Sequence, residues 1–202
     1  MTILEANKPL PRLNLTLERK VLSGFFPMLQ KGCLVQCPKP VSVEEFLLAL
    51  PGASDINLLE KIQTVFVDGH PVDDIKAAIL APDMEMALSA AMPGALGAVM
   101  RRGGYYASMR RHITFQAHET KDAQGAFFIT VKLFNLLLSQ AGPSLLQNGV
   151  VLEAHELGEL AKGFEPGFIK GELDGWEISR EDFFQMMASA PQGVMGSIVF
   201  MD

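Results

Sequence analysis

Four arginines, Arg101, Arg102, Arg110 and Arg111, fall within eleven residues, and the pairs Gly103-Gly104 and Tyr105-Tyr106 lie between them. A guanidinium is a planar fork of donors that matches phosphate or carboxylate, and glycines let a ligand approach the backbone. The four arginines are therefore candidates for holding a small anionic ligand. A plainer reading places each basic pair near the C-terminal end of a short helix, where cations oppose the helix dipole. Pairing with the acidic C-terminal half of the chain is a third. The preceding stretch, ALSAAMPGALGAVM, carries no charge across fourteen residues. It suits a packed core segment or a surface that meets a partner.

His155 and Glu159 stand four apart on an expected helix, with Glu153 and Glu156 beside them. That spacing would offer two metal ligands, and His112 or His118 a third, but the His-Glu-x-x-His pattern of a zinc protease is absent. A solvated acidic helix face accounts for the same residues, and no metal or cofactor is expected. Cys33 and Cys37 lie four apart in GCLVQC. On a strand both would point to one face, about 13 Å apart, beyond the roughly 7 Å between Cα atoms that a disulfide spans. Two buried thiols are expected. The chain has no Gly-x-Ser-x-Gly elbow, no Walker loop and no Gly-x-Gly-x-x-Gly. No catalytic residue is assigned, and the balance leans against an enzyme.

The chain of 202 residues is 49% hydrophobic and 20% charged, which suits one large or two small globular domains. The formal charge of −6 argues against nucleic acid as a partner. Residues 1–111 hold 12 Lys and Arg against 11 Asp and Glu, a balance of +1; residues 112–202 hold 5 against 12, a balance of −7. The break follows the second arginine pair and suggests a chain of two parts. No run of about 18 apolar residues occurs, so no membrane span is expected. The opening MTILEANKPLPRL does not read as a signal peptide, which makes the cytoplasm the expected compartment.

Positioning the candidate residues requires regular elements, and their signals are local. Alternating leucines over 13–21, the run 32–40, the β-branched run 61–69 and MEMALSA at 84–90 read as strands. GFFPMLQKG between the first two reads as a connection. VSVEEFLLALPG reads as a helix with a capping box, Ser42 with Glu45, and Val43, Phe46, Leu47 and Leu50 as its apolar stripe. Residues 93–102 read as a short helix with Gly103 as its C′ cap. Beyond it, HITFQ and the clearer GAFFITVKLFN read as strands, and LLLSQAGPSLLQNG as a helical turn followed by another short element. A helix is expected from Glu153 to Lys162 and a hairpin around Leu173-Asp174-Gly175. Ser179 and Asp182 open a further helix, and GSIVFMD closes as a strand.

In the first half the order is strand, strand, helix, strand, turn, strand. GCLVQCPKPVSVEEFLLAL, VFVDGHPVDD and APDMEMALSAAMPG, in that order, resemble the small sulfur carriers of molybdopterin and thiamine synthesis, over about residues 12–104. The resemblance implies a β-grasp (ubiquitin-like) domain for residues 1–104, followed by a second α+β domain over 105–202, so the fold class is α+β. It also casts Gly103-Gly104 as the counterpart of the carrier tail, whose terminal glycine carboxylate is adenylated and converted to a thiocarboxylate. Here 98 residues follow Gly104, which bears an amide rather than a carboxylate. The expectation is a binding or accessory protein that keeps the carrier fold and engages a protein partner. The alternatives are a carrier precursor cut after Gly104, and an enzyme whose arginines hold an anionic substrate at the domain junction.

Overall fold

Leu13, Leu15 and Leu17 are buried in the computed structural model, while Asn14 between them is exposed, so their alternation does build a strand. The structure describes residues 10–116, 125–189 and 193–202. That strand, β1 (Arg12–Glu18), leads through a 3-10 segment (Arg19–Phe25) into helix α1 (Phe26–Lys31). The connection expected at 24–32 is thus largely helical. Pro27 sits in the first helical turn, where the missing N–H would have had no partner, so it does not stop the helix.

Strands β2 (Cys33–Cys37) and β3 (Val41–Ser42) follow, then helices α2 (Val43–Ala49) and α3 (Leu58–Lys61). The capping box of α2 is formed: the Glu45 amide donates to Ser42 Oγ at 3.1 Å, and the Ser42 amide to Glu45 Oε2 at 2.8 Å. Next come β4 (Thr64–Val67), β5 (His70–Pro71), β6 (Ile79–Leu80), β7 (Glu85–Ser89) and helix α4 (Gly94–Met100). A 3-10 segment (Tyr105–Arg110) leads to residues 112–116, which were expected as a strand but are irregular. Strand β8 (Phe127–Phe134) precedes helices α5 (Leu137–Gln140) and α6 (Gly142–Asn148). The chain ends as β9 (Val150–Leu152), α7 (Ala154–Phe164), β10 (Phe168–Leu173), β11 (Trp176–Ile178), α8 (Arg180–Ser189) and β12 (Val194–Met201). The chain is therefore α+β. Among the described residues no helix is long and apolar enough to cross a membrane.

The contacts divide the chain elsewhere than at Gly104. One unit runs from Met28 to Ser144; the other joins the chain up to Pro27 with the chain from Leu145 onward. In the first, the strands stand in the order β2-β8-β7-β4-β5, with β8 antiparallel to β2 and parallel to β7. Strand β4 is antiparallel to both β7 and β5. In the second unit the order is β9-β12-β1-β10-β11. Here β12 is antiparallel to β9 and parallel to β1, and β10 is antiparallel to β1 and β11.

Both units thus share one succession of strand directions, and in each the parallel pair joins strands far apart in sequence. Strand β1, expected beside the strands of the first half, belongs to the other unit. The strand that lies parallel to β7 is β8, which comes after Gly104. Phe127, Ile129, Val131 and Leu133 of β8 are buried on one face, as are Cys33, Val35 and Cys37 of its neighbour β2.

Candidate functional site

The acid-free run from Met86 to His118 must find counter-charge outside itself, and the fold supplies one acid from the turn before it. Arg110 is buried, its side chain 1% exposed, and its Nη2 meets Asp73 Oδ1 at 2.7 Å. Its Nε donates to the Val99 carbonyl (2.8 Å) and its Nη1 to Thr114 Oγ1 (3.1 Å). One guanidinium therefore ties the 3-10 segment to the end of α4, to the loop after β5 and to the residues that follow.

Arg102 is also turned inward. Its Nη2 donates to the Leu59 and Ile62 carbonyls (3.1 and 3.3 Å), and its amide donates to the Gln63 carbonyl (2.8 Å). It satisfies carbonyls at the C-terminal end of α3 that have no partner within the helix. Arg101 and Arg111 remain exposed. Of the four candidates for an anion site, two thus hold the backbone and an aspartate of their own unit, and two face solvent.

The glycine pair is fixed as well. Gly103 adopts φ +61°, a left-handed conformation that glycine takes without steric cost, and its amide donates to Asp73 Oδ1 at 3.2 Å. The Gly104 amide donates to the Arg101 carbonyl at 3.1 Å and closes the turn. The cap of α4 is Arg101, so Gly103 comes one residue later than the expected C′ position. Asp73, which anchors both Arg110 and Gly103, was not among the candidates. The signal for it was the absence of any acid between Glu85 and Glu119, which left the PVDD turn as a nearby source of counter-charge.

Around this framework α4 and the 3-10 segment turn large apolar side chains to solvent. Tyr105 is 90% exposed and Met109 73%; Leu96, Tyr106 and Ile113 are about half exposed. The two tyrosine rings meet edge to face with centroids 5.1 Å apart. The uncharged stretch divides accordingly: Leu88, Ser89 and Ala90 are buried, whereas residues 93–96 are exposed.

His155 falls within α7, but its side chain is outside the described residues, as is all of His118. Glu159 is exposed on the same helix, and among the described residues no group of three His, Cys, Asp or Glu is placed to hold a metal. Cys33 and Cys37 form no disulfide and are buried on one face of β2. Burial pushes the Cys37 thiol up to about 11, because an apolar surrounding disfavours the thiolate. His70 is exposed at the start of β5, just after the turn from β4, with Nδ1 2.8 Å from the Asp68 carbonyl. Compared with family models, with curated proteins and with solved structures, the chain matches none.

Proposed function

We propose that this protein is a binding or accessory protein built on a β-grasp (ubiquitin-like) scaffold. On this reading it works in the cytoplasm, is not itself a sulfur carrier, and meets a protein partner through the arm from α4 to Ile113. The strand order of the Met28–Ser144 unit supports the scaffold: an antiparallel pair, a parallel central pair, and a further antiparallel pair at the other edge.

The observation that carries the reading is the position of β8. A carrier released by a cut after Gly104 would lose β8 from the middle of its sheet. Four buried side chains at about 1.5–3 kcal/mol each amount to about 6–12 kcal/mol, comparable to the roughly 5–15 kcal/mol that holds a whole domain together. Gly103 and Gly104 are moreover fixed by Asp73 and Arg101 rather than free to thread an active site. The arm supports partner binding, since tyrosine, methionine and arginine are enriched in protein interfaces. Here the buried Arg110 holds them in place before any partner arrives, which lowers the ordering cost of association.

The test has two parts. Intact mass after incubation with an adenylating enzyme and a sulfur donor is expected to show the full chain unaltered. A fragment ending at Gly104 that gains sulfur would overturn the reading. Affinity capture is expected to retain a partner that is lost with Tyr105→Ser/Met109→Ser, a variant with an unchanged melting temperature. Equal capture by both proteins would remove the arm from the proposal.

A further inference from the structure

We infer that the arm binds an acidic segment, a short stretch of another protein in which carboxylates flank large apolar side chains. This rests on the reading of the arm as a protein-binding surface and names the chemistry of its partner. The 3-10 segment supplies the geometry. Its side chains repeat every three residues, so positions three apart lie in one row. Arg110 is buried and Ala107 half-buried, which makes theirs the inward row. Tyr105 and Ser108 form a second row, Tyr106 and Met109 a third, and all four are exposed. Arg111 follows with helical backbone angles, φ −52° and ψ −33°, and so extends the row of Tyr105. The two tyrosine rings touch, which joins both outward rows into one surface.

That surface is cationic and has no acid of its own. Arg101, Arg111 and His112 are exposed, and no Asp or Glu occurs from Met86 to His118. Asp73, which the arm draws in, already receives Arg110 and the Gly103 amide on Oδ1. Arg101 stands next to the start of the tyrosine row. A Cβ at Gly104, the residue before Tyr105, would lie 3.3 Å from the Arg101 Cβ. Exposed guanidiniums beside exposed rings select a ligand of matching make-up. Apolar side chains cover Tyr105 and Met109, and carboxylates form charge-assisted bonds with the arginine forks.

The net charge of the chain limits the partner's extent rather than its sign. At −6 the chain repels an acidic body as a whole, but at physiological salt charges more than about 8 Å apart are largely screened. A short segment meets the arm and its arginines alone. A broad acidic face would meet the chain's other carboxylates as well. An anionic membrane is disfavoured on number: such surfaces are read by clusters of about four to eight Lys and Arg, and the arm exposes two arginines. The contact is small, below the roughly 1,200 Å² of standard interfaces, so a Kd on the order of ten micromolar is expected.

Selection of random short peptides displayed on phage, with the intact chain as bait, tests this without presupposing a sequence. Recovered peptides are expected to be rich in Asp and Glu next to Trp, Phe or Leu, and not to bind Tyr105→Ser/Met109→Ser. A recovered peptide is then compared by fluorescence anisotropy with its amide twin, which carries Asn and Gln for Asp and Glu. On the wild type the twin is expected to bind about tenfold more weakly, the worth of two exposed ion pairs. On Arg101→Gln/Arg111→Gln the two peptides are expected to bind equally. Both arginines are exposed, so this variant keeps the wild-type melting temperature. Recovered peptides without acid, no recovery at all, or a gap between the twins that persists in the arginine variant each overturn this inference. Binding to vesicles of phosphatidylserine and phosphatidylcholine that is lost in the arginine variant overturns it too, by assigning the arm to an anionic membrane. A partner captured through Tyr105 and Met109 but indifferent to Arg101 and Arg111 overturns this inference alone and leaves the arm a protein-binding surface.

Discussion

Arg110 and Asp73 form an unequal pair: the arginine side chain is 1% exposed, the aspartate 35%. Removing the aspartate strands a guanidinium in the interior with only the Val99 carbonyl and Thr114 to receive it. Removing the arginine leaves a carboxylate that water still reaches. Asp73→Ala is therefore expected to destabilise by about 3 kcal/mol or more, the usual cost of breaking a buried pair, and Arg110→Met by clearly less. Urea unfolding of the two variants decides the order, and equal losses would mean that the pair is solvated. Burial acts differently on Cys37. An unfolded thiol ionises near 9.0 and the folded one near about 11. Unfolding thus releases a proton in this interval, so stability falls as the pH rises through it. At pH 8 folded Cys37 is expected to react with iodoacetamide only as fast as the chain opens. Labelling as rapid as that of a free thiol would contradict its burial.

Helix α4 begins as Gly-Ala-Leu-Gly, and its second glycine is not interchangeable with alanine. In an open helix the change from glycine to alanine gains about 1 kcal/mol. At Gly97 an added Cβ would lie 1.7 Å from the Met92 carbonyl oxygen, so the backbone must move. Overpacking of this kind costs about 1–3 kcal/mol or more, and it outweighs the gain. Gly97→Ala is expected to lower the melting temperature. A rise would show that residue 92 yields easily. The signals read correctly at this scale were short-range. Ser42 with Glu45, and Ser179 with Asp182, satisfy helix N-termini across three residues, whatever the rest of the chain does. Strand β9 was missed because its three residues are all buried and show no alternation, which made them look like the lead into α7. Helix α1 lies in the stretch that reads as a connection, because glycine and proline there signal a turn although Pro27 also fits the first turn of a helix.

On the scale of the molecule, the sheets settle which pieces of the chain are sufficient. A fragment of residues 28–144 contains the run β2-β8-β7-β4-β5 of its unit; residues 1–104 lack β8 and carry β1 without its partners β10 and β12. The first is expected to give a dispersed amide spectrum and a cooperative thermal transition, the second neither. A folded 1–104 fragment would mean that β1 can replace β8 beside β7. The arm would then have to be reconsidered as a carrier tail, since the main argument against a cut after Gly104 would be gone.

The sequence by itself determined the α+β class, most of the strands, the helix caps and the two buried thiols, because periodicity and capping operate over a few residues. It also marked residues 101–111 as a candidate site, through their arginines and glycines. Tertiary structure decided the rest. Strands β1 and β8 show similar alternation, so nothing local indicates which strands each will join; that depends on which distant strand offers a matching buried face. The two inward arginines were likewise invisible in the sequence. Whether a guanidinium faces solvent or a carboxylate depends on where the chain brings Asp73, thirty-seven residues before Arg110.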